Sequence, residues 1–192
     1  MNNAKQKLRK ELLSIRKALS ADQVNTLSQS ICNYLLHASF FDIAQHVGYY
    51  SSINNEVSLS TLITAVSKNF YLPKIVEDKL VFCRDSGIYY TNIYHILEPC
   101  TDTSIAIEQL DLILLPLVGF DTYGNRLGMG RAFYDKLLNN AKKPPLLVGV
   151  SYAFQQKILI PCEPHDKKLD YIVTENGIWN CKNQCYDNCQ IN

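Results

Sequence analysis

Residues 111–138 read DLILLPLVGFDTYGNRLGMGRAFYDKLL, and the reading of the whole chain turns on them. The apolar run 112–115, closed by Pro116, predicts a short buried strand. A polar segment, 121–130, follows and carries Gly124, Gly128 and Gly130. Phe133, Leu137 and Leu138 then recur at helical spacing. Strand, glycine-bearing loop and helix in that order aim main-chain N–H groups and a helix N-terminus at an anion. Gly128 and Gly130 have no side chains to keep a phosphate off the backbone. Arg126 and Arg131 bracket the loop, and a guanidinium grips two phosphate oxygens at once. Asp135, one helical turn beyond Arg131, stands where a carboxylate can hold a magnesium ion beside that phosphate. The pattern is neither a Walker lysine loop nor a dinucleotide fingerprint. A tightly turned strand-to-helix connection carries the same glycines, so on the residues alone both readings stay open.

Composition limits the partners. At 192 residues, with 47% hydrophobic and 19% charged side chains, the chain suits one soluble domain. A formal net charge of +1 gives no field for polyanions. Nucleic acid is therefore not expected, and any phosphate must be bound locally. No apolar run reaches bilayer length, and the polar start MNNAKQKLRK has no apolar signal region behind it. A cytoplasmic protein without membrane partners is expected. Seven cysteines, an odd number without a secretion signal, point to reduced thiols. Cys181, Cys185 and Cys189 are spaced to share a helical face, which is open to a metal. Their Asn- and Gln-rich surroundings offer no fourth ligand, and a solvated tail over 181–192 is preferred. Residues 1–180 show no repeat and no Gly/Ser linker, so they are drawn as one domain.

On the amino-terminal side, Leu8, Leu12, Ile15 and Leu19 give a first helix its apolar face. Lys5, Lys7, Arg9, Lys10, Arg16 and Lys17 make its other face basic. Such a face is ordinarily solvated. Lys5 and Arg9, at i and i+4, nevertheless point the same way and can reach an anion held elsewhere. Ser20, with Gln23 three residues on, predicts a capping box opening a second helix. Residues 46–50 read as a strand running into a polar loop, 51–56, whose one carboxylate is Glu56. Ligands of α/β units gather at the carboxyl ends of strands. Glu56 thus either reads a ligand or serves the dipole of the helix predicted from Leu59, Leu62, Ile63 and Val66. Residues 70–72, closed by Pro73, predict a short strand, and 79–83 pair with it or with 88–90. Tyr89, Tyr90 and Tyr94 read as packing, and 98–104 as a loop covering the site. Residues 146–150 predict a buried strand, 152–157 a short helix and 171–174 a last strand. Alternating strands and helices make this an α/β fold.

The run GFDTYGNRLGMGRAFYDKLL resembles the signature of the 5-formyltetrahydrofolate cyclo-ligase (5,10-methenyltetrahydrofolate synthetase) family. KQKLRKELLSIRKALS resembles that family's first helix, and YYSSINNEVSLSTLI its segment after the first strand. LLVGVSYAFQQ and PCEPHDKKLDYIVTENGIW resemble its carboxyl-terminal part, so the likeness runs to Trp179. The resemblance implies a three-layer α/β fold, a mainly parallel central sheet flanked by helices, similar to sugar-phosphate isomerase and CoA-transferase-like folds. It implies an ATP- and Mg2+-dependent ring closure. The small-molecule substrate 5-formyltetrahydrofolate, polyglutamylated or not, becomes 5,10-methenyltetrahydrofolate with release of ADP and phosphate. A monomer or weak homo-oligomer is expected. The chemical need is plain: the formyl oxygen cannot leave as hydroxide when the neighbouring folate amine attacks the carbon. Moving the γ-phosphoryl of ATP onto that oxygen makes a good leaving group, and the protein's share is orientation and charge neutralisation.

By the same resemblance Lys5 and Arg9 bind ATP. Arg126, Leu127, Gly128, Met129, Gly130, Arg131, Ala132, Phe133 and Tyr134 wrap its triphosphate, and Arg126, Arg131 and Tyr134 carry the catalytic roles. Glu56 and Ser51 contact the folate, and Asp135 and Asp166 stand near the magnesium. The chain departs from the family at Arg131 and Ala132, where glycines are usual. Ala132 would cost about 1 kcal/mol there if the position needs positive φ. Two other readings compete: a phosphosugar enzyme on the same fold, and a folate- or nucleotide-binding paralogue without turnover. The basic first helix and Glu56 argue against the former; Arg126, Asp135 and Glu56 argue against the latter.

Overall fold

Short runs of Leu, Ile and Val form the middle of a nine-stranded sheet in the computed structural model, which describes residues 3–163 and 166–187. The helices are α1 (Asn3–Lys17), α2 (Ala21–Leu36), α3 (Ser39–Ile43), α4 (Ser60–Ala65) and α5 (Phe133–Asn140). The strands are β1 (His46–Gly48), β2 (Asn69–Val76), β3 (Lys79–Arg84), β4 (Tyr89–Thr91), β5 (Leu97–Pro99), β6 (Ser104–Ile105) and β7 (Leu112–Pro116). They continue as β8 (Gly119–Phe120), β9 (Arg126–Leu127), β10 (Leu146–Val150), β11 (Tyr171–Thr174), β12 (Gly177–Asn180) and β13 (Cys185–Tyr186).

The sheet order is β13-β12-β11-β10-β7-β1-β2-β3-β6. The five inner strands, β11 to β2, run parallel. Both edges are antiparallel. Strand alternation sorts the core onto two faces. Leu112, Leu114, Val148 and Val150 pack with Ile31 and Leu35 of α2, Phe41 of α3 and Leu62 of α4. Ile113, Leu115, Leu147 and Ile172 pack with Leu138 of α5 on the other. Each such fully buried aliphatic side chain contributes about 1.5–3 kcal/mol. The expected α/β architecture, with its mostly parallel central sheet, is what these residues build.

The chain order places the ligand crevice. From β1 the chain passes to β2 on one side, and later returns to β7 on the other. Adjacent strands whose connections leave in opposite directions open a gap at their carboxyl ends. That gap lies beyond Gly48 and Pro116.

Several details differ from expectation. Ile15 is 45% exposed, while Arg16 is buried at 1%. Leu12 turns α1 onto Val118, Leu127 and Ile160, and Arg16, one turn on, follows it inward. The helix behind Glu56 begins only at Ser60, so the carboxylate is no dipole partner. β2 runs through Pro73 to Val76. β1 ends at Gly48, so no ladder bond is lost at Pro73; Ile75, two residues on, donates its N–H to Glu98 Oε1. β4 pairs with β5, and not with β3.

The polar segment after β7 is no simple loop. It holds the β8–β9 hairpin, whose turn is tied by Asp121 Oδ1, acceptor from the N–H groups of Tyr123 and Asn125 at 3.0 Å each. β11 is followed by two more strands. The stretch read as a tail from Cys181 on is, as far as Asp187, part of the sheet: Cys181 is buried and Cys185 pairs with Asn180. Cys181 and Cys185 thus lie on a turn and a strand, not on a helical face. Cys189 lies outside the described residues. The capping box forms as read, with Gln23 N–H to Ser20 Oγ at 3.2 Å and Ser20 N–H to Gln23 Oε1 at 2.9 Å.

Candidate functional site

A cavity of about 500 Å³ opens at the carboxyl ends of β1 and β7. Its size is that of a ligand site. All the residues singled out from the sequence line it: Lys5, Arg9, Ser51, Glu56, the whole run 126–135 and Asp166. Segments far apart in the chain therefore converge on one space.

One end of the cavity is the glycine loop between β9 and α5. Arg126 donates through Nη1 to the carbonyl of Lys167 and through Nη2 to Asp135 Oδ1. Arg9 donates from Nε to the carbonyl of Gly128 at 2.7 Å. Gly130 takes φ +94, and a Cβ there would lie 3.3 Å from the Arg9 guanidinium carbon. The backbone at this position calls for glycine, and a Cβ there would also push the Arg9 guanidinium aside by a few tenths of an ångström. Ala132 is the N-cap of α5 at φ 54, ψ 20, without a side-chain cap. The position does demand the left-handed region, so the penalty foreseen for Ala132 applies. The first helical bond of α5 runs from Lys136 N–H to the Ala132 carbonyl at 2.9 Å. The three N–H groups before it belong to a helix start and can be offered to an anion. Leu127 is buried, so it offers only main chain. Arg131 leans outward, its guanidinium 3.9 Å from the centre of the Tyr94 ring.

Carboxylates stand among these cations. Lys5 Nζ lies 2.9 Å from Asp166 Oδ2 and 3.8 Å from Glu163 Oε1. Among the described residues no cluster of three or more His, Cys, Asp and Glu side chains makes a metal cage. Magnesium does not need one: it keeps waters and takes one or two carboxylates plus phosphate oxygens. Asp135 and Asp166, both on the cavity wall, fit that requirement.

The other end is buried. Glu56, 7% exposed, accepts from Ile53 N–H at 3.1 Å and from Arg16 Nη2 at 3.4 Å. Burial raises its carboxyl above the ordinary 4.5, and the Arg16 charge pulls it back. Arg16 also donates to the carbonyls of Asn54 (3.0 Å) and Leu117 (3.1 Å). Between the two ends stands Tyr134. Burial and the Glu56 charge hold its hydroxyl proton on, against the pull of Arg126.

Two groups were not foreseen. Arg16 was placed on a solvated basic face; its signal is the i, i+4, i+7, i+11 stripe Lys5, Arg9, Leu12, Arg16. The β4–β5 hairpin supplies a wall through Asn92, Tyr94, Ile96 and Glu98. Glu98 is 2% exposed and accepts from Tyr90, Asn92 and the Ile75 N–H. Of the segment 98–104, expected to cover the site, only Glu98 lines the cavity; the wall is the hairpin before it, from Asn92 to Glu98.

Residues 1–175 match the model of the 5-formyltetrahydrofolate cyclo-ligase family. A 5-formyltetrahydrofolate cyclo-ligase of Haemophilus influenzae is 34% identical over 182 residues, covering 88% of this chain and 97% of that protein. The protein of the same name from Escherichia coli is 30% identical, covering 85% and 96%. A 5,10-methenyltetrahydrofolate synthetase structure from Aquifex aeolicus superposes with a TM-score of 0.84 at 32% identity, covering 93% of each chain. One from Mycoplasma pneumoniae gives 0.73 at 25%, covering 89% and 98%.

Proposed function

Since this chain belongs to the 5-formyltetrahydrofolate cyclo-ligase family and is an enzyme of that family, we propose that its cavity joins Mg-ATP and 5-formyltetrahydrofolate and closes the folate ring. The observation that carries this is the cavity's division. A loop of cations and free N–H groups stands at one end, and a buried carboxylate at the other.

Lys5, Arg9, Arg126 and Arg131, with the N–H groups of the loop, take the triphosphate. Glu56 and Ser51 take the folate, Glu56 by accepting N–H groups of the pterin edge. The formyl oxygen then attacks the γ-phosphorus and the bond to ADP breaks. The folate amine attacks the formyl carbon and gives up its proton, and the phosphorylated oxygen leaves as inorganic phosphate. Arg126 and Arg131 neutralise charge gathering on the transferred group. The Tyr134 hydroxyl, kept protonated, donates to an oxygen of that group. Asp135 and Asp166 would hold magnesium, whose charge neutralises phosphate oxygens when it is bound. Arg126 and Lys5, which now face these carboxylates, are the cations that would also meet phosphate oxygens. The enzyme is placed in the cytoplasm, and its fold among the sugar-phosphate isomerase and CoA-transferase-like folds.

Purified protein given 5-formyltetrahydrofolate and Mg-ATP is expected to produce the absorbance of 5,10-methenyltetrahydrofolate. No signal from folded protein would remove the proposal.

A further inference from the structure

The turn beside Glu56 is fixed in place by a helix that also serves the opposite end of the cavity. Asn54 and Asn55 both take left-handed backbone, at φ 51 and φ 59. Asparagine adopts this region more readily than most residues, and the pair closes a 53–56 turn with the Glu56 N–H on the Ile53 carbonyl at 3.0 Å; what neighbours add is the turn's placement. Those neighbours belong to the last turn of α1, and the hold runs both ways. The Arg16 guanidinium takes the carbonyl of Asn54, the carbonyl of Leu117 and one Glu56 oxygen. In return the Asn55 amide donates to the carbonyls of Arg16, Lys17 and Leu19, at 3.2, 3.4 and 3.0 Å. Arg16 and Lys17 stand in the last turn of α1, where carbonyls look outside the helix for donors, and the Arg16 carbonyl also accepts the Leu19 N–H at 3.2 Å.

Arg16 is also continuous with the other end. Lys5, Arg9 and Arg16 lie on one stripe of one helix. Along the axis Arg9 and Arg16 are about 10 Å apart, at 1.5 Å per residue. Arg9 meets the glycine loop at Gly128, and Arg16 meets the Glu56 turn.

We propose that Arg16 is a positioning residue of the reaction. It clasps the 53–56 turn so that the Glu56 carboxylate is aimed into the cavity at a spacing from the glycine loop set by α1. The inference rests on the folate role of Glu56 and adds how that carboxylate is held. Arg16 touches no substrate. It acts through Glu56 and through the backbone of Asn54, and its fork of donors is what three acceptors in different directions require. The charged and titratable groups facing Glu56 are Arg16 from α1, Tyr50 after β1, Tyr134 from α5 and Tyr152 after β10. Burial keeps the three tyrosines neutral, which leaves Arg16 as the cation that favours the ionised carboxylate.

The test compares Arg16→Met and Arg16→Lys with wild type, by steady-state kinetics across pH and by calorimetry with a non-hydrolysable ATP analogue. Arg16→Met is expected to raise the folate KM at least about tenfold, with nucleotide affinity within about twofold of wild type. Its folate KM should improve with rising pH, with a midpoint above that of wild type. Arg16→Lys keeps the charge, so its midpoint should return toward wild type while part of the KM defect remains. Asn55→Ala breaks the clasp from the other side and serves if Arg16→Met does not fold; it should raise the folate KM in the same direction by a smaller factor. A folate KM within twofold of wild type in the folded variants, or equal losses of folate and nucleotide affinity, overturns the proposal. A wild type that turns over no 5-formyltetrahydrofolate contradicts the function instead. Amide exchange at Ile53 and Glu56 then still tests the clasp: faster exchange in Arg16→Met with α5 unchanged supports it, and unchanged exchange overturns it.

Discussion

The two ends of the cavity are built on opposite principles. At the glycine loop Met129 is 48% exposed, Gly128 has open space around it, and Arg131 reaches outward to Tyr94. At the Glu56 turn the carboxylate and Tyr50 are almost wholly buried, and hydrogen bonds fix the backbone. The difference follows from what each end is proposed to hold. A triphosphate arrives with water and metal and leaves with one phosphate fewer, so its binding loop must exchange partners. A pterin edge is neutral and flat, and a carboxylate set in advance reads it without reorganisation. The loop is therefore where charge is exchanged, and the turn is where shape is read.

Breaking the loop end should have the largest effect. Asp135→Ala and Arg126→Ala are each expected to lower kcat by a factor of about 100 to 1,000, with the folded fraction unchanged by circular dichroism. Near-normal rates in both would refute the site. Breaking the turn end should appear in binding: Glu56→Ala is expected to raise the folate Kd at least about tenfold and leave nucleotide affinity alone. Unchanged folate affinity would remove Glu56 from the site.

Smaller effects sharpen the contrast. Ala132→Gly relieves a left-handed alanine and should stabilise the protein by up to about 1 kcal/mol, read as a rise in Tm. A fall in Tm would show that the cap is not strained. The buried end should reveal itself through pH. Because burial raises the Glu56 carboxyl above 4.5 in the folded protein, its favourable contribution is complete below that value and is lost as pH rises through the folded-state value. Wild type should lose stability relative to Glu56→Gln over that interval, and parallel Tm profiles would contradict it.

The same contrast explains what the sequence made legible. The loop end is written locally: Arg126, the glycines, Ala132 and Asp135 follow one another within ten residues, after a plainly apolar strand. The turn end is written across the chain. Arg16 shares a stripe with Lys5, Arg9 and Leu12, but its burial depends on Leu12 docking on Val118 and Ile160, far away in sequence. Glu56 could be singled out as a lone carboxylate after a strand, but its partner could not. The wall formed by Asn92 and Tyr94 was hidden for a similar reason. It rests on a buried Glu98 whose acceptor role needs β2 to continue past Pro73, where a proline advises stopping the strand.

The claim beneath all this is that the cavity lets ATP convert a formyl oxygen into a leaving group. The most direct measurement is turnover of 5-formyltetrahydrofolate carrying a heavy oxygen isotope in its formyl group, with the released phosphate analysed by mass spectrometry. The account predicts the label in inorganic phosphate, with one ADP formed for each methenyl product. Label released into water, with unlabelled phosphate, would contradict it.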